Sequence, residues 1–169
     1  MDFNRPIAVI DIEASAFKGY PIEIGVAVYR PQKPITLWSS LIRPTPLWSH
    51  RLPWDPAAES IHGIKLHLLD RAPSAPTIAV EIHQQLIGCA CAYSDNPFHD
   101  QRWIELLFET TAIAFPAILT DIAALANNLR VDRRALFEPD PFQPAEHRAG
   151  PDADHLLRRL LTLADIRHV

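Results

Sequence analysis

Ala8-Val9-Ile10-Asp11-Ile12-Glu13 is the stretch on which the fold of this chain turns. Ile7 to Ile10 is a continuous apolar run, as in a central strand buried on both faces. It leads into two carboxylates at its exit. Side chains two apart in a strand point to the same face, so Asp11 and Glu13 repel each other unless a cation lies between them. Alone, the pair reads equally as a strand-end turn. Two later stretches add to it: Ser94-Asp95-Asn96-Pro97-Phe98-His99-Asp100 and His147-Arg148-Ala149-Gly150-Pro151-Asp152. Four carboxylates, Asp11, Glu13, Asp100 and Asp152, then stand with one titratable base, His147. Hard oxygen donors of this kind suit Mg²⁺ or Mn²⁺. Together with a base they suit metal-assisted hydrolysis of phosphate esters.

By chemistry alone the roles would fall out as follows. Asp11 would bridge two divalent ions, Glu13 and Asp152 would complete the ion that activates water, and Asp100 would help hold the ion near the leaving oxygen. Such a pair, ~3.5–4 Å apart, stabilises both oxygens of an in-line displacement. His147 takes the proton from the attacking water, a task for a group whose ordinary pKa is near ~6.5. Asp152 falls in the first turn of a last helix, where the helix dipole favours its ionised form. Asp95 competes with Asp100 for the fourth place. Asp100 precedes Trp103, Ile104 and Leu107 on a helical face, which favours it.

The rest of the chain frames these residues. At 169 residues, 48% hydrophobic and 21% charged, it reads as a single domain spanning 1–169 with one substantial core. No run approaches the ~18–20 apolar residues of a membrane span. No signal peptide is visible, and Cys89 and Cys91 read as small core residues, so a cytoplasmic location is expected. A net charge of −4 argues against binding nucleic acid through bulk positive charge. Bound divalent ions would reverse that sign locally. Strands are expected at Ile7–Ile10, Ile22–Tyr29, Thr36–Ile42 and Cys89–Tyr93. Helices are expected near Asp55-Pro56, at Thr77–Ile87, from about Asp100 to Thr110, over Thr120–Leu129, and from Pro151 to about Ala164. Pro139, Pro141 and Pro144 break up the stretch before the last helix. Trp48 and Trp54, in a Pro-rich excursion, are expected to pin a loop to the core rather than stack on bases. The other histidines, His50, His67, His83, His99, His155 and His168, show no metal spacing and read as surface or packing residues. The order of elements implies a mixed α/β layer fold.

Asp-x-Glu, then Asp, then His-x-x-x-x-Asp, in that order, resembles the DnaQ-like 3′→5′ exonucleases, specifically their DEDDh subclass. The resemblance spans Val9 to about Leu161. Asp11 and Glu13 match the first motif, Asp100 the second, and His147 with Asp152 the third. Ile61-His62-Gly63-Ile64 is similar to the family's His-Gly-Ile stretch, and Asn96 matches the Asn four residues before the second-motif Asp. The chain departs where the family commonly has Thr-Thr-Gly after the Glu, holding Ala14-Ser15-Ala16. It also carries Asp95 and His99 where a His and a Phe are common. The resemblance implies an RNase H-like fold, a mixed five-stranded sheet flanked by helices. It implies a two-metal exonuclease acting on single-stranded DNA or RNA 3′ ends, with Ser15, His62 and Asn96 near the substrate. An RNase acting on short RNA or RNA 3′ ends, and a catalytically silent module that only binds nucleic acid or protein, are the alternatives. Whether the chain forms a homodimer is left open.

Overall fold

The structure, a computed structural model, describes residues 5–138 and 147–166. The prolines of 139–146 and His168 lie outside the described residues. Five strands form one sheet in the order β3-β2-β1-β4-β5. β1 (Ile7–Ala14), β2 (Pro21–Tyr29) and β3 (Thr36–Leu41) form an antiparallel meander, with β1 paired along its length to β2. β4 (Cys91–Ser94) and β5 (Ile118–Asp121) continue the sheet in parallel on the other side of β1. β1 is therefore the central strand, and its apolar run is buried on both faces, as its composition demands.

The two-residue period of β1 and β2 sorts two cores. Ala8, Ile10 and Ile12, with Ile22, Ile24, Val26 and Val28, face a cluster completed by α3 (Ala75–Gln85) and α4 (Pro97–Phe108). Ile7 and Val9, with Ala27 and Tyr29, face the opposite cluster. That cluster is completed by α5 (Ile122–Asn128), α6 (Arg133–Phe137) and the long α7 (Ala149–Leu163), which contributes Ala153, Leu157, Leu160 and Leu161. Asp11 and Glu13 continue the α7 face, so apolar packing at one end of the strand gives way to carboxylates at the other.

The excursion after β3 forms α1 (Pro46–Arg51), α2 (Pro56–His62) and a 3₁₀ turn over Leu66–Arg71. Asp55 caps α2 through Ala57 N, as its place before Pro56 suggests. Trp48 is buried against Tyr20, and the Trp54 indole donates to Glu59 at 2.8 Å, so both tryptophans pin this excursion. Several expected boundaries move. β1 extends to Ala14, because pairing with β2 carries the strand beyond its apolar run. α4 starts at Pro97 and α7 at Ala149, each ahead of the expected position. Thr120 belongs to β5, and the helix expected there starts at Ile122 behind an Asp121 cap. A four-residue edge strand running directly into a helix has too few alternations to be read from sequence. No helix among the described residues is long and apolar enough to cross a membrane.

Candidate active site

A register shift between Glu13 and Ala14 interrupts the last step of β1, and such bulges re-aim a strand at its rim. Just before it, Asp11 lies opposite Gly25 and Glu13 opposite Glu23. α7 comes down on this face at its first turn. A Cβ on Gly25 would stand 2.0 Å from the Ala149 carbonyl oxygen, so only glycine lets the helix start sit flush on β2. The contact delivers Asp152. Carboxylate oxygens of Asp11, Glu13 and Asp152 all lie within 4.8 Å of one another, and each residue is half-buried.

The start of α7 is itself held. Glu23, buried on β2, accepts from Arg148 Nε (2.9 Å), from Arg148 Nη2 (2.6 Å) and from Ala149 N (3.0 Å). Arg148 N donates to Asp152 Oδ2 at 3.2 Å. His147 is exposed one residue earlier, with a left-handed φ of 49°, a region that few non-glycine residues occupy. It directly precedes Arg148, the N-cap of the helix that carries Asp152.

Electrostatics mark the cluster as built for positive charge. Burial pushes Asp11 well above the usual carboxylate range, and Glu13, Asp95, Asp100 and Asp152 push it further. Burial, then Asp152 and Glu23, raise Glu13 to about 7, with Arg148 pulling the other way. Acids forced this close either keep protons or share a cation. The all-oxygen donor set fits a hard divalent ion such as Mg²⁺ or Mn²⁺.

Asp100 comes from the opposite side. It is 4% exposed in the first turn of α4, on the face of the first core, and reaches around the strand end. Its Oδ2 accepts a short hydrogen bond from the buried Ser94 hydroxyl, which in turn accepts from Asn96 N at 3.0 Å. Burial raises Asp100 to about 7 against the lowering effect of Ser94. Asp100 adds to the charge on Asp11 and Glu13 but stands outside their close group with Asp152. Asp95 is exposed in the turn after β4.

The three expected substrate contacts fare differently. Asn96 is exposed at the start of α4, where its side chain makes no capping bond. Ser15 is fully buried: its hydroxyl donates to Pro53 O at 2.8 Å and accepts from Tyr20 N at 3.0 Å. Its hydrogen bonds strap the loop after β1 to the excursion. His62 is buried beside Trp54, its Nδ1 accepting from Ile64 N at 3.0 Å, and burial lowers its pKa. With so little surface, it holds the Gly63 turn.

No family model and no curated protein sequence matches this chain. Solved structures do. A 3′-exonuclease that recognises the 3′ end of a histone mRNA stem-loop superposes with a TM-score of 0.71 at 16% identity, over 96% of this chain and 65% of that one. The fold is the RNase H-like fold of the 3′-exonucleases. Exonuclease X in complex with 5′-overhanging duplex DNA matches at 0.55 and 19% identity, over 94% of this chain and 98% of the other. E. coli Exonuclease I in complex with a dA16 oligonucleotide matches at 0.62 and 13%, over 94% of this chain but 41% of the other. The chain thus spans less than two-thirds of the length of some of these exonucleases.

On this exonuclease fold, one feature beside the carboxylates escaped the sequence. Phe17, in the loop after β1, and Phe98, at the start of α4, are 63% and 83% exposed. The His99 ring stands edge-on to both, with centroids at 4.5 and 5.2 Å. Arg102 ties the two elements by donating to Phe17 O (3.2 Å) and Lys18 O (2.8 Å). A groove of about 790 Å³ runs along these residues toward Leu119. The signal in the sequence was two phenylalanines beside motif acids, but their exposure and meeting depend on how the β1 loop and α4 approach.

Proposed function

We propose that this chain is a metal-dependent 3′→5′ exonuclease that releases nucleoside 5′-monophosphates from single-stranded nucleic-acid ends. The observation that carries it is the convergence of Asp11, Glu13 and Asp152 within 4.8 Å, on a fold shared with 3′-exonucleases. His147 precedes the same helix start, and Asp100 lies across the strand end. Asp11, Glu13 and Asp152 would hold one Mg²⁺ or Mn²⁺ ion, and Asp11 with Asp100 a second. The ions would supply Lewis-acid stabilisation of the attacking and departing oxygens. An imidazole nitrogen of His147 would receive the proton of the attacking water, and the exposed ring would pass it to solvent. The Phe17–His99–Phe98 surface would stack unpaired bases, at ~1–3 kcal/mol per base, which favours a single-stranded end. A silent binding module is the weaker alternative, since all four carboxylates and the histidine are retained.

The test is hydrolysis of 5′-labelled DNA and RNA oligomers in Mg²⁺, Mn²⁺ or EDTA. Both polymers enter because the similar exonucleases include one that recognises a histone mRNA stem-loop and others seen with DNA. Products that shorten stepwise from the 3′ end, and only with metal, are expected. Undiminished turnover in excess EDTA refutes the proposal.

A further inference from the structure

We infer that Glu23 is a positioning residue: through Arg148 and Ala149 it sets where Asp152 and His147 stand relative to Asp11 and Glu13. The inference rests on the exonuclease reading. Glu23 is 3% exposed on β2, on the same face as Glu13 and directly opposite it. It adds its own charge to an acidic site and raises Glu13.

Stability alone does not account for such a group. A buried ion pair recovers little more than its desolvation cost, and apolar residues of similar volume would serve the fold as well. Nor does α7 need it for docking, because Ala153, Leu157, Leu160 and Leu161 already bury the helix against Val9 and Ala27. What the pair controls is the first turn. Its fork grips Arg148 in two places, and the third bond grips Ala149 N. Arg148 N in turn holds Asp152 Oδ2. The residue before this three-bond grip is His147, with its left-handed φ. Backbone of that kind persists where its surroundings over-determine it. Glu23 thus fixes both ends of the turn that presents the base and the third carboxylate.

The experiment compares wild type, Glu23→Gln and Arg148→Lys in steady-state hydrolysis, in Mn²⁺ titration without substrate, and in thermal melting. Glu23→Gln is expected to melt as a folded protein and keep KM within about twofold. Its kcat should fall on the order of 10²-fold, the usual consequence of ~1 Å misplacement. Mn²⁺ binding should weaken about tenfold, as when a group supporting a metal ligand is lost. Arg148→Lys, which keeps the charge but loses the fork, should show the same pattern in weaker form. A role in stability alone would lower the melting temperature and leave kcat and Mn²⁺ affinity near wild type, and that result overturns the inference. If Glu23→Gln does not fold, Arg148→Lys decides by the same measures. If wild type binds Mn²⁺ but hydrolyses nothing, the exonuclease reading fails, while the Mn²⁺ titrations still judge Glu23.

Discussion

Without metal, the protein should lose stability as pH rises from 5 to 8, and Glu13 should account for a measurable part of the loss. Its carboxyl ordinarily titrates near 4.5 and is raised to about 7 in the folded chain. Between those values the folded state holds a proton that the unfolded state has released, so stability falls with rising pH. It is fully present below the unfolded pKa and fully lost above about 7. At ~1.4 kcal/mol per pH unit the gap is worth roughly 3 kcal/mol. Glu13 is only half-buried, and solvent screening brings this to about 2 kcal/mol. For a domain of this size that corresponds to about 4–8 °C in melting temperature. Asp11 and Asp100, also raised, act in the same direction. His62, lowered by burial, acts oppositely below about 6.5, but equally in wild type and in a Glu13 variant. The assay is therefore melting of wild type and Glu13→Gln in EDTA from pH 5 to 8, with Mg²⁺ added at pH 8. The variant should show a flatter profile and a higher melting temperature at pH 8, and Mg²⁺ should raise wild type more than the variant. Equal pH slopes in the two proteins would refute the reasoning.

Other substitutions probe the remaining parts. His147→Ala should retain Mn²⁺ binding but lose on the order of 10²–10⁴-fold in rate, as for a lost general base, and rapid-quench hydrolysis would measure it. Asp100→Asn should remove activity on a labelled oligomer while Asp95→Asn keeps most of it; the reverse would place the second ion near the β4 turn. Gly25→Ala drives a Cβ into the Ala149 carbonyl and should destabilise by several kcal/mol in urea unfolding, with α7 as its cause. Phe17→Ala combined with Phe98→Ala should weaken binding of single-stranded oligomers in Ca²⁺ by about 10–100-fold, from the stacking worth of one or two bases. Fluorescence anisotropy reads it, with melting unchanged because both rings are exposed.

The carboxylate cluster of the candidate site was legible because chemistry of this kind needs few residue types in fixed order. Asp11 and Glu13 declare themselves by following an apolar run with one residue between them. His147 and Asp152 stand out by their spacing at the start of an amphipathic helix. The partners of Ser15 were not legible, because a hydroxyl near a motif looks the same whether it faces solvent or a backbone carbonyl, and Pro53 and Tyr20 come from elsewhere in the chain. Glu23 went unremarked because a lone acid in a β-rich run carries no period of its own. β5 was hidden for a related reason, its four residues being too few to show alternation.

The sequence by itself determined most of the elements and the chemical inventory: a buried central strand ending in paired acids, a capped helix at Pro56, and an acid and a histidine at the last helix. These follow from local rules, the two-residue period of a strand and the covalent identity of the donors. The tertiary structure decided which of the inventory meets. It put Asp152 beside Asp11 and Glu13 by seating α7 on Gly25, and brought Asp100 around the strand end from the other face. It also made a strap of Glu23 and an exposed aromatic surface of Phe17, His99 and Phe98. Those outcomes depend on contacts between segments up to 126 residues apart, as between Glu23 and Ala149, which no local pattern encodes.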